Sequence, residues 1–229
     1  MEILYEDARV IVCIKPAGIV STDAPGGMPE LLRQQLGTSC VRTVHRLDRP
    51  VSGVMVFARS RMASALLSQQ VQDHVFRKEY LAVLSGVPES PEGILEDLLL
   101  RDKESQRTVV VSEPQKDAKP AKLRYQVLET ADGRALVRVL LETGRTHQIR
   151  AQFSSRGLPL VGDRKYGFEG SETEIALFSC RVAFRHPQTD AAMDFFRLPP
   201  DAAPWSRYSC LHERTLSPVA FSPAQAYND

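Results

Sequence analysis

The sequence contains no Cys-x-x-Cys pair, no apolar run long enough to cross a bilayer, and almost no net charge. Each absence removes a class of function. Cys13, Cys40, Cys180 and Cys210 lie far apart, and His45, His74, His147, His186 and His212 are equally scattered, so a zinc site would have to gather distant ligands. No metal is expected, and the thiols are expected to be reduced and partly buried rather than bridged. Residues 1–10 carry Glu2, Glu6 and Asp7 without an apolar core, which rules out a signal peptide there. With no membrane-spanning segment later, a soluble, cytoplasmic chain is expected, by default a monomer.

Against 29 Lys and Arg stand 28 Asp and Glu, a net charge of +1, so any attraction for nucleic acid has to come from local clustering. Three clusters stand out. Arg42, Arg46 and Arg49 surround Asp48; Lys116, Lys119, Lys122 and Arg124 form a second group; Arg145, Arg150, Arg156, Arg164 and Lys165 form a third, opposed by Asp163. Each taken alone reads as a solvated face.

The chain of 229 residues, 43% hydrophobic, can bury a substantial core, and it carries no internal repeat or low-complexity tract. Val10–Ile14 reads as a strand closed by Lys15-Pro16-Ala17-Gly18, with a loop after it. Gly53 opens Val54–Ala58, a β-favouring run with no polar face, which places Asp48 in the loop feeding a central strand. Ser60 caps a helix running to about His74. Strands are expected at Lys78–Ser85, Lys122–Glu129 and Ala135–Leu141, the last two joined by the hairpin signal Asp132-Gly133. A Thr-capped helix is expected from His147 to Arg156, stopped by Gly157 and Pro159, with Ile149 and Phe153 facing the core and Arg150 facing a cleft. Two more strands follow at Ala176–Phe184 and Ala192–Phe196. Beyond Leu198, Pro199, Pro200, Pro204, Pro218 and Pro223 interrupt regular structure, leaving Trp205, Tyr208 and Phe221 as anchors. The pattern gives an α+β fold on one mixed, largely antiparallel sheet with flanking helices: a domain over 1–198 and an irregular tail over 199–229, packed on it or trailing from it.

An Asp among arginines in a loop is by itself an ordinary turn or ion-pair residue. Its company is more specific. His45-Arg46-Leu47-Asp48 with Ser52-Gly53 is followed in order by Lys78-Glu79-Tyr80-Leu81-Ala82, by Gly144-Arg145-Thr146-His147-Gln148-Ile149-Arg150, and by Gly162-Asp163 and Tyr166-Gly167. This sequence resembles the RluA family of RNA pseudouridine synthases, and the likeness extends from Ile3-Leu4-Tyr5-Glu6-Asp7 to His186-Pro187. The form resembled is the one without an amino-terminal S4 domain, because the chain starts close to the catalytic fold. Val51, Ile14 and Leu158 stand where the family commonly has Thr, Asn and His.

The resemblance implies a pseudouridine synthase catalytic domain that isomerises a uridine in a tRNA or rRNA stem-loop and needs no cofactor. It implies that Asp48 is the catalytic carboxylate, Tyr80 the aromatic residue under the uracil, and Arg150 the basic partner of Asp48. Arg46 matches the residue that displaces the target nucleotide and fills the space it leaves. Arg49, Lys78, Arg145, His147, Arg164 and Lys165 are the expected further RNA contacts. A carboxylate working beneath phosphates needs a cation at hand, and a two-pronged Arg150–Asp48 pair would supply it. A rival reading, a carboxylate-dependent glycoside or nucleotide hydrolase, calls for a second positioned carboxylate or a metal; Asp163 is the candidate, although Gly162-Asp163 reads as a turn or as a support for the site. A second rival is a catalytically silent RNA-binding protein of the same fold.

Overall fold

The computed structural model describes residues 1–212, so Pro218, Phe221 and Pro223 lie outside the described residues. Eleven strands form a single sheet: β1 (Ile3–Glu6), β2 (Val10–Lys15), β3 (Arg42–Thr43), β4 (Ser52–Ala58), β5 (Arg77–Leu84), β6 (Glu92–Arg101), β7 (Thr108–Val111), β8 (Lys119–Ala131), β9 (Arg134–Leu141), β10 (Leu177–Arg185) and β11 (Ala192–Phe196). Their order is β1-β2-β4-β10-β5-β9-β8-β6-β7, with β3 beside β4 and β11 beside β10. The β4–β10 pair is parallel and all other pairs are antiparallel, which gives the mixed, largely antiparallel sheet expected from the sequence.

Strand alternation distributes the core to both faces. Met55 and Phe57 of β4 and Tyr80, Ala82 and Leu84 of β5 share a cluster with Met28 and Leu32 of α1 (Met28–Leu36) and Ile149 and Phe153 of α3 (Gln148–Ser154). Their neighbours Val54 and Val56 turn the other way, onto Ala63 and Leu67 of α2 (Arg61–Gln72). Ser60 Oγ accepts the Ala63 N–H at 3.1 Å, the cap expected for α2. Asp132 (φ 51°) and Gly133 (φ 72°) turn the β8–β9 hairpin, the left-handed pair that such a connection requires.

Several features depart from expectation, β1 and the β6–β7 hairpin among them. The segment after Gly18, read as loop, contains α1: Gly26-Gly27 and Pro29 look like breakers, yet Pro is tolerated in a helix's first turn, where its missing N–H has no intrahelical partner. The third helix begins at Gln148 and ends at Ser154, and its cap is His147 at φ 55° rather than a Thr. After Leu198 the chain packs Trp205, Tyr208 and Leu211 against Leu81, Val83 and Leu136 from β5 and β9, through a short 3-10 turn at Trp205–Arg207 and α4 (Ser209–His212). No helix among the described residues is long and apolar enough to cross a membrane.

Candidate active site

Residues 43–49, Lys78 and Tyr80 of β5, and residues 143–150 line one open cleft of about 1500 Å³. Asp48 lies in it with its side chain 23% exposed, at the start of a turn closed by Val51 N–H on the Asp48 carbonyl at 3.0 Å. Two residues outside the motif hold that turn. The fully buried Lys15 ammonium donates to the carbonyls of Pro16, Arg49 and Val51 at 2.8, 3.1 and 2.8 Å, and Ser21 Oγ both donates to the Leu47 carbonyl and accepts the Leu47 N–H. Burial brings the Lys15 pKa down to about 8, with Asp48 pulling the other way. His45 ties the loop to β4 by accepting the Val56 N–H on Nε2 at 3.1 Å, so its proton is on Nδ1.

Arg150 enters from α3. Its Nη1 donates to Asp48 Oδ2 at 3.1 Å, while Nε and Nη2 donate to the two oxygens of Asp163 at 2.7 and 2.8 Å. The two-pronged pair expected between Arg150 and Asp48 is therefore made with Asp163. With both oxygens bound and its side chain 2% exposed, Asp163 is a brace, and the hydrolase reading loses its second acid. Gly162 allows this placement: at φ 77° a Cβ there would lie 1.9 Å from the Glu174 carbonyl oxygen. Tyr166 lies beneath Arg150, its ring centroid 4.8 Å from the guanidinium carbon.

Tyr80 is 5% exposed on the cleft floor, and burial together with Asp48 raises its pKa, so it is a neutral phenol at physiological pH. Lys78, on the same strand face, is 9% exposed, and its pKa is lowered by burial. The 143–148 loop owes its shape to Gln148: its Oε1 accepts from Thr143 Oγ1 at 2.8 Å and from Arg145 N at 3.0 Å, and its Nε2 donates to the Lys122 carbonyl.

Of the remaining expected contacts, Arg46 is exposed on the cleft and makes no hydrogen bond or ion pair among the described residues. Arg49 and Arg145 line the cleft while donating through Nε to the carbonyls of Gly18 and Pro120. His147 is beside Asp48, its Nε2 3.8 Å from Oδ2. Arg164 and Lys165 are on the 3-10 turn Arg164–Tyr166, outside the cleft lining. The basic clusters thin out in three dimensions, since Lys122 pairs with Glu96, Arg124 with Glu142 and Arg156 with Asp97.

Comparison with known proteins gives a consistent answer. The RNA pseudouridylate synthase family profile matches residues 9–155. The chain is 34% identical over 221 residues to an uncharacterized RNA pseudouridine synthase of Bacillus subtilis, covering 89% of this chain and 71% of that protein. It is 35% identical over 202 residues to the ribosomal large subunit pseudouridine synthase C of Pasteurella multocida, covering 82% and 61%. It thus spans only part of its relatives' length. The structure of human RNA pseudouridylate synthase domain containing 1 superposes with a TM-score of 0.76 over 91% of this chain and 86% of that one at 22% identity, a likeness of fold. The matched span contains the Asp48 loop, Tyr80 and Arg150, most of the cleft lining, and the chain belongs to the RNA pseudouridylate synthase family.

Proposed function

We propose that this chain converts one uridine of a structured RNA, a tRNA or rRNA stem-loop, to pseudouridine, with Asp48 as the catalytic carboxylate. The observation that carries the reading is the placement of Asp48 at the head of an open cleft, with Arg150 on one of its oxygens and Tyr80 in the floor. The reaction breaks the bond from N1 to the ribose, turns the base, joins C5 to the same ribose carbon, and releases the C5 proton while N1 takes one up. Nothing is oxidised and no group is donated, so no cofactor enters.

Asp48 acts either as nucleophile or as the base that takes a ribose proton; both routes use the carboxylate as an anion. Arg150 supplies a charge-assisted hydrogen bond to that anion, and Asp163 fixes Arg150 in turn. Tyr80 supports the uracil ring. A stacked uridine cannot reach Asp48, so the nucleotide is flipped out at a cost of about a few kcal/mol, and Arg46 stacks in the gap. Arg49, Lys78, Arg145 and His147 meet the RNA around the cleft, with Arg164 and Lys165 farther out. The chain acts as a monomer in the cytoplasm and reads its stem-loop by shape and a few loop bases.

The test is a transcriptome-wide pseudouridine map of cells with and without the chain. The reading expects sites that vanish on deletion and return with the wild-type chain but not with Asp48→Asn. Identical maps in the two strains would contradict it.

A further inference from the structure

His147 takes no part in the reaction as described, yet its surroundings define its protonation. Tyr166 Oη accepts the Thr108 backbone N–H at 2.8 Å and lies 2.8 Å from His147 Nδ1, which leaves its own proton free to be donated to that nitrogen. Arg101 Nη1, which can donate but not accept, faces the same nitrogen at 3.4 Å. The arginine, which only donates, makes Nδ1 the acceptor and places the imidazole proton on Nε2, the nitrogen facing Asp48. Burial brings the His147 pKa down to about 4; Asp48 opposes this, and Arg150, Arg101 and Lys165 reinforce it. The ring is therefore neutral at physiological pH. Arg150 Nη1 and His147 Nε2 both approach Oδ2 of Asp48, and no hydrogen bond from the described residues reaches Oδ1.

We propose that His147 is a positioning residue, a neutral Nε2–H donor that holds Asp48 by Oδ2 and leaves Oδ1 as the oxygen that meets the uridine. This rests on the pseudouridine synthase reading of the same cleft. The 3.8 Å separation closes to hydrogen-bonding distance when RNA fills the cleft, as catalytic contacts commonly tighten on substrate binding. Tyr166 serves both partners of Asp48: its ring lies under Arg150, and its hydroxyl is free to donate to Nδ1 of His147. The left-handed backbone at His147 strains any replacement with a side chain, so informative variants must carry equal strain.

The experiment compares His147→Gln, which keeps a donor near the Nε2 position, with His147→Leu, which has none. Single-turnover release of tritium is measured from ribosomal and transfer RNA tritiated at uridine C5, alongside RNA affinity. His147→Leu is expected to slow turnover on the order of 10- to 100-fold, the loss of one hydrogen bond to a charged group, with a smaller loss of RNA affinity from the missing cleft contact. His147→Gln is expected to recover most of the rate. Tyr166→Phe, which keeps the ring and removes the hydroxyl, is expected to fall between wild type and His147→Leu. Equal rates for the Gln and Leu variants, or a wild-type rate in His147→Leu, would overturn the proposal. Nitrogen-15 NMR of the wild-type imidazole at pH 7 is expected to show a protonated Nε2, and a protonated Nδ1 would overturn it without any RNA. Failure of the underlying reading is separate: it appears as turnover by Asp48→Asn, whereas an active His147→Leu beside an inactive Asp48→Asn rejects this inference alone.

Discussion

Arg150 gives two of its N–H groups to Asp163, at 2.7 and 2.8 Å, and a third to Asp48, at 3.1 Å. The guanidinium is therefore fixed from behind, and its free edge is aimed at the carboxylate that faces the cleft. A planar fork bound on both prongs cannot swing, whereas an arginine paired with Asp48 alone could follow that side chain out toward solvent.

Replacing Asp163 with Asn keeps the shape and removes the charge that anchors Arg150. Turnover is expected to fall on the order of 10- to 100-fold, with a stability loss of about 3 kcal/mol from the broken buried pair. Single-turnover kinetics and urea unfolding measure the two effects. Unchanged turnover would show that Arg150 needs no brace.

On the opposite face of β5 from Tyr80, the buried Glu79 carboxylate is shared by Arg138 and by Arg181 at 2.9 Å, and Arg181 also binds Asp194. Glu79→Ala leaves guanidiniums in a buried site without the carboxylate they share. A loss of about 3–5 kcal/mol in urea unfolding is expected, with RNA affinity of the folded protein retained. A loss below about 1 kcal/mol would mean that the network is solvated in solution.

His45 is buried and its pKa is lowered to about 3, by burial first and Lys78 second, against an ordinary value of 6.5. Below pH 6.5 the unfolded chain takes up a proton that the folded chain refuses. The contribution of His45 is thus intact above pH 6.5 and is lost as pH falls toward 3, at about 1.4 kcal/mol per pH unit. His147, with its pKa near 4, adds in the same direction. Urea unfolding between pH 7 and 5 is expected to show this slope, reduced in His45→Gln, whose Oε1 can accept the Val56 N–H. An equal slope in that variant would assign the acid sensitivity elsewhere.

RNA affinity is expected to fall steeply with salt despite the near-zero net charge, because the cleft-lining Arg46, Arg49 and Arg145 concentrate positive charge there. Arg46→Met is expected to lower the slope of log affinity against log salt by about 0.7 to 0.9, the release of about one counterion. Titrations at several salt concentrations measure it, and affinity insensitive to salt would remove the electrostatic account of binding.

The sequence made the central strands legible because β4 and β5 carry strong β-favouring runs, and it made Asp48, Tyr80 and Arg150 legible through ordered motifs. Pairings between distant segments were not legible. Gly162-Asp163 reads as a turn or as a support for the site, and nothing local says that both Asp163 oxygens belong to Arg150. Lys122, Arg124 and Arg156 read as basic patches because Glu96, Glu142 and Asp97 reach them from other parts of the fold. Lys15 reads as the first residue of a turn, whereas it is buried as the support of the Asp48 turn. The β6–β7 hairpin is not marked in the sequence, because β6 mixes Glu92, Glu96 and Asp97 with its apolar residues and follows no clear alternation.

The carboxylate that Arg150 addresses is tested most directly by Asp48→Asn, which keeps the side chain's size while removing its charge. With RNA tritiated at uridine C5, this variant is expected to bind within about threefold of wild type and to release no tritium above background, a loss of at least about 10⁴-fold in single-turnover rate. Tritium release by Asp48→Asn at a rate near wild type would contradict the central claim.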